Sequence, residues 1–232
     1  MLAIQGMMVQ RGQGARAHRI RLPELSLAPG QCLAITGPSG CGKSTLLETV
    51  GLLLAPSELE GFMLGNPQQD VAILWRTQQQ SELATLRARD LGFVLQSGGL
   101  LPFLNVADNI ALPRRLQGLP TKSERVTQAV NRLGLMPLME KRPAMLSIGE
   151  RQRVAFVRAL AHEPKLLLAD EPTAALDPHS AHGLFALFMD VVEELQLAAL
   201  VVSHDWALVE TFGVPRFDAV TVKGETVFEP RL

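Results

Sequence analysis

No stretch of this chain stays apolar for the roughly 18–20 residues that a bilayer-crossing helix requires. Residues 1–10 lack the basic start and long apolar centre of a secretory signal. The cytosol is therefore the expected address, with any membrane attachment made through a partner. Cysteine is scarce: only Cys32 and Cys41 occur. A disulfide at Cys41 would distort the glycine-rich loop around it, so both are expected as reduced thiols of a reducing compartment. Tyrosine is absent altogether. Neither sign of charge dominates, with 22 Lys and Arg against 23 Asp and Glu, which argues against a generally basic nucleic-acid binder. At 47% hydrophobic and 19% charged residues the chain is not disordered. Its 232 residues suffice for one sizeable core with a lobe inserted into it. Internal repeats and low-complexity tails are absent too.

What is present is a series of strands separated by helices. Residues 31–36 read as a short apolar strand, followed by a glycine-rich loop and a helix over 44–54. Upstream, 18–22 and 24–27 alternate weakly, as strands of a small edge sheet do. Residues 61–65 suit a short strand, while 66–80, rich in Gln and containing Trp75, fit no element. A helix is expected over 81–89 and a buried strand over 91–95, ending at Gln96. From 98 to 163 the pattern is helical. A short helix over 105–112 should end or bend at Pro113. Thr121 and Glu124 have the spacing of a capping box that opens a helix through Leu133. Another helix is expected over 151–161. Strands return at 165–169 and 198–203 around a helix over 178–195, and 220–228 closes as a hairpin. Together these predict an α/β fold with a mainly parallel sheet covered on both faces and an N-terminal antiparallel edge sheet. Segments 1–96 and 164–232 form its core, and 97–163 an inserted helical lobe.

Two local patterns carry chemistry on their own. Gly37-Pro38-Ser39-Gly40-Cys41-Gly42-Lys43-Ser44-Thr45 sits between a strand and a helix, the context that makes such a loop a phosphate site. Gly37, Gly40 and Gly42 let backbone N–H groups approach phosphate oxygens. Lys43 brings charge to the outer phosphates, Ser44 offers a hydroxyl to Mg²⁺, and the helix presents its positive end. Further on, residues 166–169 form an apolar strand ending in Asp170 and Glu171. At such a strand end Asp170 is placed to direct Mg²⁺, usually through its water, and Glu171 to orient and deprotonate an attacking water.

A third segment, Leu146-Ser147-Ile148-Gly149-Glu150 continued by Arg151-Gln152-Arg153, joins these in a fixed order. With all three, the chain resembles an ATP-binding cassette (ABC) ATPase, a P-loop NTPase, over essentially its whole length. The resemblance implies that Ser147, Gly149 and Glu150 belong to the signature that caps a partner copy's ATP. It implies that Ala174-Ala175-Leu176-Asp177 runs along the dimer seam. Gln96 resembles the glutamine that senses Mg²⁺ and the lytic water, and His204 of Ser203-His204-Asp205 resembles the switch histidine. The implied cofactors are ATP and Mg²⁺, and the implied partners a second copy of the chain and a membrane permease on a separate chain. The chain would then lie on the cytoplasmic face of the inner membrane through that permease. A nucleotide-gated regulatory module with little turnover is the alternative; Glu171 argues against it.

Two departures stand out. The family usually has glycine where Ile148 stands, and Ile would be strained there if φ were positive. The family commonly stacks adenine on an aromatic ring upstream of the loop, yet the only ring before Gly37 is His18. Arg11, Arg16 or His18 could replace it, and weak discrimination between ATP and GTP is expected. Residues 91–96 and 101–110, with Arg87-Ala88-Arg89 before them, resemble the lipoprotein-releasing and macrolide-exporter branch. In that branch residues 98–104 would form the docking surface for a permease helix.

Overall fold

The computed structural model describes residues 2–12, 17–65, 68–222 and 224–231. Ten strands form one sheet in the order β5-β4-β1-β2-β10-β9-β3-β8-β7-β6. These are β1 (Leu2–Arg11), β2 (His18–Leu27), β3 (Cys32–Thr36), β4 (Gly61–Leu64), β5 (Gln69–Asp70), β6 (Leu91–Val94), β7 (Leu166–Asp170), β8 (Ala198–Ser203), β9 (Arg216–Val222) and β10 (Glu225–Pro230). From β9 to β6 all neighbours run parallel. β1, β2, β4 and β5 pair antiparallel at the other end. The β9–β10 hairpin joins the halves, since β10 runs parallel to β2 and β9 parallel to β3. The predicted hairpin thus forms, four residues longer at its start and two at its end.

The central parallel strands β3, β7 and β8 are apolar up to their last residues, Thr36, Asp170 and Ser203, because both faces are covered. Successive side chains take opposite faces. Cys32 and Ala34 of β3, Leu167 and Ala169 of β7, and Ala199 and Val201 of β8 pack in one cluster. Leu33, Ile35, Leu166, Leu168, Leu200 and Val202 pack in the other. The second cluster is closed by α1 (Lys43–Val50), α2 (Val71–Arg76) and α3 (Gln80–Asp90). The first is closed by α4 (Val106–Leu116), α5 (Glu124–Arg132), α6 (Ile148–Leu160) and α7 (Pro178–Glu194). A short α8 (Trp206–Thr211) follows β8. Among the described residues no helix is long and apolar enough to cross a membrane. Both cysteines are free and buried, and burial pushes the Cys32 thiol up to about 12.

Several local expectations are corrected. Residues 2–11 form an additional strand, β1, and β2 is one strand rather than two despite Pro23. Proline has no N–H for a ladder. Here Pro23 faces Gly6 at a gap in the β1 register and lies beyond the three residues that pair with β10. The unplaced 66–80 segment holds β5, α2 and the start of α3, with Asn66 and Pro67 outside the described residues.

α4 runs on through Pro113 to Leu116. Tertiary bonds hold its last turn: buried Arg114 donates to Pro120 O, to Ala161 O at 2.8 Å and to Glu163 Oε1 at 3.0 Å. The Thr121–Glu124 capping box does not form. Ser123 is the N-cap of α5, makes no cap bond, and donates its hydroxyl to Glu163 instead. A true capping box lies at Ser147 and Glu150, so α6 begins three residues before the expected position.

Candidate functional site

The loop after β3 wraps the start of α1. Gly37, Gly40 and Gly42 have φ of 154°, 79° and 105°, values open to glycine. A side chain on Gly42 would strike Ile20 at 2.5 Å. Gly42 is also the N-cap of α1 and, lacking a side chain, leaves the first helical N–H groups uncapped. That is an anion site by construction, with unsatisfied donors at a positive helix end. Lys43, nearly buried, folds back along the loop. Its Nζ donates to Gly37 O at 2.9 Å and Pro38 O at 3.0 Å.

β7 ends beside this loop, which brings Asp170 to it. Ser44 Oγ donates to Asp170 Oδ1 at 3.2 Å. Burial raises the Asp170 pKa, the Ser44 bond opposes the rise, and the Glu171 charge adds to it. Glu171 follows at φ 46°, a left-handed backbone uncommon for a residue with a side chain. Its N–H is tied to Val202 O at 2.9 Å. Strain held by a neighbouring strand is typical of functional positions. The Glu171 Oε2 atom accepts from Gln96 Nε2 at 3.3 Å and lies 3.2 Å from His204 Nδ1. Gln96 follows β6 and His204 follows β8, so three parallel strand ends converge on one carboxylate. Ser39, Gly40, Gly42, Lys43, Ser44, Thr45, Gln96, Asp170 and Glu171 line a cleft of about 320 Å³.

The donors here are oxygens: the Ser44 hydroxyl, two carboxylates and the Gln96 amide. Among the described residues no three His, Cys, Asp or Glu side chains converge as a protein-built metal cage. A hard divalent ion held by one or two carboxylates and by substrate phosphates fits that set.

Ser147, Gly149 and Asp177 are not in this cleft. They line another of about 520 Å³ between the starts of α6 and α7, with Ile148, Arg153 and Leu176. Ser147 caps α6, its Oγ accepting from Glu150 N at 3.2 Å while Glu150 Oε2 accepts from Ser147 N at 2.6 Å. Hydrogen bonds from the Ser147 backbone N–H and then from its side chain hold the Glu150 carboxyl below its ordinary range. Asp177 caps α7 by accepting from Ser180 N at 3.1 Å. Ile148 is the first residue of α6, has no positive φ, and is half exposed, so the feared strain is absent.

The candidate base-stacking residues are otherwise engaged. Arg11 pairs with Glu48 at 2.5 Å. His18 Nε2 lies 3.0 Å from Thr226 Oγ1 and 3.4 Å from Cys41 O. Arg16 lies outside the described residues. Two residues given no role in the sequence reading also touch the site: Gln152 donates to Gln96 O, and Arg158 to Gly98 O and Gly99 O. The available signal was two long polar side chains set among Val154, Ala155, Phe156 and Val157.

Comparison with known proteins gives three kinds of match. The ABC transporter family model matches residues 21–174. The lipoprotein-releasing system ATP-binding protein LolD of Paramagnetospirillum magneticum is 43% identical over 183 residues, 78% of each chain. LolD of Legionella pneumophila is 38% identical over 205 residues, 87% of this chain and 85% of its own. A dimeric post-hydrolysis state of the ATP-binding cassette MJ0796 bound to ADP and Pi has a TM-score of 0.78 at 29% identity, covering 97% of this chain and 96% of that one. The cbiO1 protein of Clostridium perfringens, part of the transporter complex cbiONQ, has a TM-score of 0.78 at 26% identity, covering 97% and 86%.

Proposed function

This chain belongs to the ABC transporter family as an ATP-binding and ATP-hydrolysing subunit, and from that premise we propose that two copies close head to tail over two ATP molecules and drive a separate membrane permease. One observation carries the reading: the phosphate-loop cleft and the Ser147 cleft share no lining residue. Ser147 therefore completes a nucleotide site by meeting the loop of a second copy. The dimeric MJ0796 cassette, alike over 96% of its length, supports the same arrangement.

In this reading the γ-phosphate enters between the uncapped start of α1 and the Ser147 hydroxyl of the other copy. Lys43 exchanges its two carbonyl partners for phosphate oxygens, which keeps the loop formed before ATP arrives. Ser44 and Asp170, with Gln96 nearby, would hold Mg²⁺. That ion supplies positive charge to phosphate oxygens during transfer. Glu171, fixed by Gln96 and His204, orients the attacking water and takes its proton. His204 and Ser147 Oγ then stabilise charge on the departing phosphate. We assign residues 97–163 to an inserted lobe whose residues 98–104 dock the permease: Phe103 among them is 68% exposed. The permease would hold the chain at the cytoplasmic face of the membrane. Relatives named as lipoprotein-releasing proteins support that branch, with cargo chosen by the permease.

Complementation tests the two-copy site. Lys43→Ala and Ser147→Arg copies should each be inactive alone. Mixed, they should regain ATPase activity, because the mixed dimer holds one intact Lys43 facing one intact Ser147. A mixture as inactive as its parts would refute the reading. The base contacts lead to a second expectation. With Arg11 and His18 both engaged, ATP and GTP should be hydrolysed with KM values within about tenfold, since neither is free to read the base edge. Steady-state kinetics with each nucleotide measure this, and a preference above about a hundredfold would count against it.

A further inference from the structure

α6 is bonded along its length to the segment carrying Gln96. Gln152, 3% exposed, donates its Nε2 to Gln96 O at 2.6 Å. Under two turns later, the Arg158 guanidinium donates to Gly99 O at 2.6 Å and Gly98 O at 2.9 Å. Among the described residues no carboxylate forms an ion pair with Arg158, and burial lowers its pKa. A guanidinium in that setting is stabilised only by the fork of carbonyl bonds it makes. Gly98 and Gly99 have φ of 72° and 57°. A side chain on Gly99 would meet Leu95 at 2.9 Å. The backbone after Gln96 is therefore shaped by two left-handed residues and fixed by three donors from one helix.

That helix has Ser147 at its N-cap. It is 13 residues long, a rod of about 20 Å. We propose that Gln152 and Arg158 are positioning residues that fasten Gln96 to the helix presenting Ser147. Engagement of the partner's ATP by Ser147 then sets Gln96 against Glu171 in the copy's own cleft. The two sites of a dimer are coupled through α6 in each copy. This rests on the head-to-tail reading above, in which Ser147 serves the other copy's nucleotide.

The test uses the full-length chain and its ATPase rate against ATP concentration. Wild type should be cooperative, with a Hill coefficient approaching about 2, the number of sites. Arg158→Met and Gln152→Leu should each lower kcat about ten- to a hundredfold, as misplacement of a reacting group does. Half-saturation by ATP should stay within about twofold while the Hill coefficient falls toward about 1. Arg158→Lys, which keeps the charge and one donor direction, should fall between. The proposal is overturned by a wild-type coefficient near 1, by kcat within twofold of wild type in both variants, or by a kcat loss that follows Tm with cooperativity intact. Combining Arg158→Met with Glu171→Gln separates the two claims. If Glu171→Gln alone stays monomeric with ATP, the two-copy reading fails. If it dimerises, and the double variant does too, the kinetic result decides the role of Arg158.

Discussion

Replacing Glu171 with Gln is expected to cut turnover by about a hundred- to ten-thousandfold while ATP still binds and two copies stay closed around it. The carboxylate is held by Gln96 Nε2 and His204 Nδ1, and the Glu171 backbone by its N–H to Val202 O. Gln has the same shape and fits the left-handed backbone no worse, so the protein should fold unchanged. It has no basic oxygen to take the proton of the attacking water. Nothing in the substitution removes a contact to the phosphate loop or to Ser147, so binding and closure should remain. Size-exclusion chromatography of the variant with ATP should show a dimer that ADP does not produce. Retention of turnover within about tenfold would remove Glu171 from its assigned role. A strictly monomeric variant, alone and with its membrane subunit, would end the two-copy motor.

Replacing Lys43 with Ala should abolish turnover to a similar degree, about a hundred- to a thousandfold, but for a different reason and with a different signature. In the nucleotide-free loop Lys43 Nζ satisfies two carbonyls, and its side chain is nearly buried. Alanine leaves both without that partner and removes the charge meant for the phosphates. Hydrogen bonds to a charged group are worth about 1.5–3 kcal/mol, so the variant should also be less stable without any ligand. At about 2–4 °C per kcal/mol for a chain of this size, Tm should fall by several degrees. Glu171→Gln should show no such fall. Fluorescent-nucleotide titration should find ATP affinity lost in Lys43→Ala and kept in Glu171→Gln. Tight ATP binding by Lys43→Ala would show that the uncapped helix start alone grips the phosphates.

Much of this was legible because the chemistry is written in short, contiguous runs. A glycine loop between strand and helix, and two acids after an apolar strand, need no distant partner to be recognised. The central parallel strands were equally plain, being apolar runs up to their last residues. Where local pattern and tertiary contact disagreed, the sequence misled. Pro113 signals a helix end, but Arg114 anchors the next turn to Ala161 and Glu163, residues far along the chain. Thr121 and Glu124 match a cap by spacing alone, whereas Ser123 is drawn to Glu163. Pro23 splits a strand on paper, and only the facing Gly6 and the short β10 pairing explain its place. The contacts from Gln152 and Arg158 were invisible for the same reason: a backbone carbonyl has no letter in the sequence.

The β9–β10 hairpin has a consequence for how the molecule is made. Among the described residues it is the sole bridge between the antiparallel and parallel halves of the sheet. It also sets Thr226 against His18, 208 residues away. Until residues 216–230 leave the ribosome, β2 and β3 are open edges of two unconnected sheets. A nascent chain holding the whole glycine-rich loop still lacks the wall against which that loop rests, since Gly37 packs on Ala219. Nucleotide should therefore find no finished site on an incomplete chain, and the exposed edges mark the interval when a chaperone is most needed.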